Sequence, residues 1–146
     1  MSHVPHHPYD ATLVDHGRSP RNFGPLERAT HRCERSHPLC GDRLQVQLMV
    51  KDEHIEKIRF EGRGCILSMA SASIMSEAVQ GLPRAEASAL ASRLREALTP
   101  GHREPLPDPV RALEAARHAP GRRGCIALAW QALEAALGPP EEAGSP

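Results

Sequence analysis

The sequence predicts an α+β domain, a small three-stranded antiparallel sheet packed against several helices. Three observations lead there: strand-like alternation is confined to one early block, helical spacing dominates from Ile66 onward, and the two kinds of element do not alternate. Residues 8–16, PYDATLVDH, place apolar side chains at 9, 13 and 14, enough for one short helix, and the glycines and prolines of GRSPRNFGPLE then break it. A first strand fits around 27–35. LQVQLMV from Leu44 alternates apolar and polar residues, KDEH turns, and IEKIRFEG returns as the partner strand. After GRGC, Ile66, Met69 or Ala70, Ile74 and Val79 mark a helix over 66–81 with a face of small residues, stopped at Gly81. Leu90, Leu94 and Leu98 define a second helix opened by Pro83. DPVRALEAARH reads as a third, with Asp108 as its N-cap before Pro109, and CIALAWQALEAAL, 125–137, as the last.

At 146 residues the chain reads as a single domain over 1–138 with a linker-like tail at 139–146. Eighteen basic residues balance eighteen acidic ones, so no charge excess points to nucleic acid or a membrane surface. No apolar run approaches the roughly 20 residues of a membrane helix, and the first ten residues lack the pattern of a secretion signal. The expectation is a cytoplasmic protein, in which four cysteines serve as thiols, metal ligands or redox groups rather than as disulfides.

Cys40 sits in HPLCGDRL, on a glycine-flanked turn entering a strand; Cys65 and Cys125 stand at helix starts behind the lead-ins GRG and PGRRG. Unpaired amides and the helix dipole favour thiolates at such positions. With Asp42 the set is three thiolates and one carboxylate, a shell suited to zinc by ligand type and number. The carboxylate is a hard donor among soft ones and the readiest to be displaced, so Cys-Gly-Asp looks like half of a metal site built to open. The plainer reading is that these are ordinary small residues and inert thiols. Cys33, at an alternating position of the first strand, reads most simply as a core thiol. His3, His6 and His7 read as a polar start rather than a metal tract. The serines at 68, 71, 73 and 76 read as helix packing, being poor nucleophiles without an adjacent base.

HPLCGDRL, GRGCILSMASASIMSEAV, RRGCIALAWQAL and the opening YDATLVDHGRSPRNFGPL together resemble the IscU/SufU family of iron-sulfur cluster assembly proteins, over most of the chain. The resemblance implies Cys40, Asp42, Cys65 and Cys125 as ligands of zinc or of a transient iron-sulfur cluster. It also implies a cysteine desulfurase as the partner that delivers sulfur as persulfide, and downstream assembly or apo-proteins as recipients. Tyr9 and His16 belong to the family-like opening, though a helix packing face explains them equally well.

In the IscU branch a histidine immediately precedes the third cysteine, where this chain has Gly124, and HAPGRR replaces the proline-rich chaperone segment. The long segment between Cys65 and Cys125, the LAW after Cys125 and Arg122 are similar to the SufU branch. Cys40, beside the most displaceable ligand, is then the expected persulfide acceptor. Arg122 is a candidate to steer the incoming persulfide or stabilise a thiolate, or else a solvated arginine beside Arg123. The rivals are a sulfurtransferase-type protein that never holds a cluster and a structural zinc module that only binds a partner.

Overall fold

The computed structural model describes residues 11–39, 41–102, 104–117 and 121–138. Its element order is α1 (Ala11–Arg18), β1 (His31–Ser36), β2 (Arg43–Lys51), β3 (His54–Arg63), α2 (Ile66–Val79), α3 (Arg84–Ala97), a 3₁₀ segment (Asp108–Ala116) and α4 (Arg123–Leu137). The strands form one antiparallel sheet in the order β1-β2-β3. Asp52 and Glu53 join β2 to β3 with positive φ at both, the signature of a tight hairpin turn that follows the strands' twist. Phe60 exchanges backbone hydrogen bonds with Asn22 and Gly24, so the loop after α1 covers the outer edge of β3.

Alternation puts Leu44, Val46 and Leu48 of β2 and Ile55, Ile58 and Phe60 of β3 on one fully buried face. The helices cover that face. α2 is buried nearly all round, from Leu67 to Val79, because alanines and serines let its neighbours approach closely. Its serines are satisfied inside the core: Ser71 donates to the Ile126 carbonyl at 2.7 Å and accepts the indole N–H of the buried Trp130 at 3.0 Å. Asn22 donates to Ser76 at 2.9 Å, and the backbone N–H of Arg21 donates to Ser73 at the same distance. For Ser71, Ser73 and Ser76 the packing role read from the sequence is what the structure shows.

Two expectations need correction. The segment after Pro107 is not an α-helix: it runs as 3₁₀ turns broken at Val110, and the Asp108 carboxylate pairs with Arg111 at 2.9 Å instead of capping. The buried Arg117 guanidinium donates to the Ala97 and His102 carbonyls and to Glu114, holding the segment against the end of α3. α4 begins at Arg123 rather than Cys125, which moves the cysteine into the first turn. Gly81 lies just beyond α2 with φ +89°, as its stop signal required.

Candidate metal centre

The β1–β2 turn, the start of α2 and the first turn of α4 meet at one place. Asp42 immediately precedes β2, Cys65 is the N-cap of α2, and Cys125 is the third residue of α4. Their ligand atoms, two Sγ and one carboxylate oxygen, all lie within 4.8 Å of one another. Asp42 and Cys125 are buried and Cys65 partly so. Cys40 lies outside the described residues, as do Tyr9, His3, His6, His7 and the tail at 139–146.

The carboxylate is held by α2. Asp42 Oδ2 accepts the Ser68 hydroxyl at 2.5 Å and the Cys65 backbone N–H at 3.2 Å. A helix start with its amides unspent is a natural seat for an anion. Gly64 makes the approach possible, since a Cβ there would stand 2.9 Å from Ser68 Cβ and 3.1 Å from both Asp42 Cγ and Oδ2. Ser68 also lies 3.6 Å from Cys65 Sγ and 3.3 Å from the Cys125 carbonyl, so one hydroxyl touches all three ligand-bearing residues.

The sequence reads Ser68 as packing alone, and the structure adds its hydroxyl's bond to Asp42. The signal was present in its spacing: a residue three beyond a helix N-cap lies on the same side, one turn on.

Arg122 is the residue before α4, partly buried, with its carbonyl accepting the Ile126 N–H at 3.1 Å. Cys33 is elsewhere. It pairs with Val46 in the sheet, packs against the core, and accepts a hydrogen bond from Arg35 at 3.0 Å. His16 docks α1 on α2, its Nδ1 2.7 Å from Ser73 Oγ.

Zinc–sulfur and zinc–oxygen bonds of roughly 2.3 and 2.0–2.2 Å put tetrahedral ligands a little under 4 Å apart, so donors within 4.8 Å need only a small closure. Soft thiolates with one carboxylate suit zinc or iron rather than magnesium or calcium.

A turn and two helix starts that bring two thiols and a carboxylate together define a small α+β domain with a candidate metal site. The family model described as NifU-like N terminal domain matches residues 8–139, and the chain belongs to that family. It is 31% identical over 128 residues to the zinc-dependent sulfurtransferase SufU of Bacillus subtilis (strain 168), a match covering 86% of each protein. It is 34% identical over 134 residues to the iron-sulfur cluster assembly scaffold protein IscU of Streptococcus pyogenes serotype M1, covering 90% of this chain and 83% of the relative. Among solved structures it superposes with a TM-score of 0.81, at 27% identity, on the protein described as a cluster assembly scaffold for the SUF system of Fervidobacterium islandicum AW-1. That match covers 92% of this chain and 100% of the other. The fold and family expected from the motifs are therefore those observed. No helix among the described residues is long and apolar enough to cross a membrane.

Proposed function

We propose that this protein accepts sulfane sulfur from a cysteine desulfurase at a zinc site of Cys40, Asp42, Cys65 and Cys125, and passes it on or assembles it with iron into a cluster. The observation that carries the reading is the convergence of Asp42, Cys65 and Cys125, far apart in sequence, within 4.8 Å. Cys40, two residues before Asp42, supplies the remaining donor. Bound zinc would keep the thiols deprotonated and prevent them from pairing with one another.

In the transfer step the Cys40 thiolate attacks the outer sulfur of the desulfurase persulfide. A new S–S bond forms on Cys40, the old one breaks, and the desulfurase cysteine leaves as a thiolate, so no external oxidant or reductant is needed. Asp42, Cys65 and Cys125 would hold the zinc with Cys40, and the Asp42 carboxylate, with partners of its own in Ser68 and the Cys65 N–H, would be the donor best able to give way. Arg122, at the mouth of α4, steers the incoming persulfide anion. Cys65 and Cys125, anchored on helices, keep their places. Mass spectrometry after treatment with desulfurase and cysteine tests the assignment: added sulfur on Cys40 supports it, and added sulfur on Cys125 with Cys40 unmodified contradicts it.

A further inference from the structure

The turn between β1 and β2 is organised by one residue. The His37 backbone N–H donates to the Asp42 carbonyl at 2.8 Å, and its own carbonyl accepts the Gly41 N–H at 2.9 Å. Its ring Nδ1 accepts the Leu39 N–H at 3.3 Å. His37 is therefore hydrogen-bonded to both Gly41 and Asp42, the residues that follow Cys40 in the sequence.

The rest of the ring reaches across to α4. His37 Nε2 lies 2.3 Å, and Cδ2 2.8 Å, from the position that a Cβ on Gly124 would occupy. A Cβ there would have to push the ring aside, so the imidazole fills the space that glycine leaves open. Gly124 lies within the first turn of α4, next to Cys125, where glycine is a poor choice for helix formation alone. The ring contact supplies the reason for it.

We propose that His37 is a positioning residue whose imidazole, seated on Gly124, ties the turn bearing Cys40 and Asp42 to the helix start bearing Cys125. The pair is coupled by size: the ring needs glycine at 124, and the glycine is useful only while the ring is there. It sets the separation of donors on two elements that have no covalent link near the site. The inference rests on the metal-site reading above and adds what holds the halves of that site in register.

The test measures zinc affinity of the full-length protein by chelator competition, with melting temperatures of the metal-free chains alongside. Gly124→Ala should lose about tenfold in zinc affinity, the low end of what removing an outer support costs. It should nevertheless melt no lower than wild type, because alanine favours the helix and the displaced group is the end of a side chain. His37→Ala should lose a similar factor. The double variant should bind no worse than His37→Ala, since the collision is gone. Cobalt in place of zinc should show weakened tetrahedral absorption bands in both single variants, a change that loss of fold stability alone would not produce in a folded chain.

Wild-type zinc affinity in Gly124→Ala, or losses that multiply in the double variant, overturns the proposal. Should Gly124→Ala melt early, His37→Ala decides: a tenfold loss supports the proposal and wild-type binding overturns it. A wild-type chain that binds no zinc sinks the metal-site reading itself. Zinc-binding wild type with indifferent variants sinks only the role of His37.

Discussion

At the scale of single residues, Ser68 and Asp42 form the unit on which the site's behaviour depends. A buried carboxylate that loses a hydroxyl donor must either reorient or remain undersatisfied. Ser68→Ala should therefore lower zinc affinity by about tenfold, while Ser68→Thr, which keeps the hydroxyl, recovers most of it. Asp42→Ala removes the proposed carboxylate ligand but leaves the thiols and a position that water can fill, so zinc should bind more weakly than in Ser68→Ala while the fold survives. Cys65→Ala should be worse than either, because it removes a thiolate at the anchor of α2. Chelator competition and thermal melts on the three variants check the order. An Asp42→Ala chain as unstable as Cys65→Ala would make the carboxylate a structural strut and end its role as the yielding ligand. Glycines beside Asp42, Cys65 and Cys125 marked them as candidate donors, while spacing alone left inert thiols as an equal reading. Ser68 was less legible: its bond to Asp42 spans 26 residues of sequence, and serine in an apolar helix otherwise signals only close packing. The seating of His37 on Gly124 has no local signature, since it joins a turn to a helix at the far end of the chain.

Among the elements, α2 is the hub, and its serines join it to α1, α4 and Asp42 at the end of the β1–β2 turn. The joint with α1 is pH-sensitive. Burial, followed by the nearby Arg21 charge, holds the His16 imidazole below the ordinary histidine value, against the opposing pull of Glu77 and Asp15. A histidine that is harder to protonate when folded takes up protons more readily in the unfolded chain. Its contribution to stability is therefore present above about pH 6.5 and lost as the pH falls through the depressed folded-state value. As the pH falls below about 6.5, the melting temperature of wild type should drop more steeply than that of His16→Gln. Parallel pH profiles for the two would remove His16 from the account. Sheet and helices were readable from period alone, because β2 alternates and α2 to α4 carry helical spacing. The 3₁₀ segment was misread for a physical reason. DPVRALEAARH has the pattern of a helix, but Arg117 is buried against carbonyls of Ala97 and His102, and that tertiary anchor sets the path of the backbone. Local propensity is the weaker force in so short a segment.

For the whole molecule, the fold is a device for bringing distant thiols together without a local knuckle. The sheet presents the turn at one end, α2 starts where β3 finishes, and α4 returns to the same place after the long excursion through α3. That convergence could not be read from spacing, which left inert thiols as an open alternative; the ordered motifs carried it instead, through their resemblance to a family. The measurement that tests the central claim most directly is the stimulation of a cysteine desulfurase by this protein, compared before and after zinc is stripped and again after it is restored. Sulfur acceptance at a zinc-held site predicts faster turnover with the zinc-loaded protein, loss of that stimulation on stripping, and its return with zinc. Zinc-loaded protein that leaves the desulfurase rate unchanged, while the fold still depends on the metal, would contradict the account and leave a structural metal module.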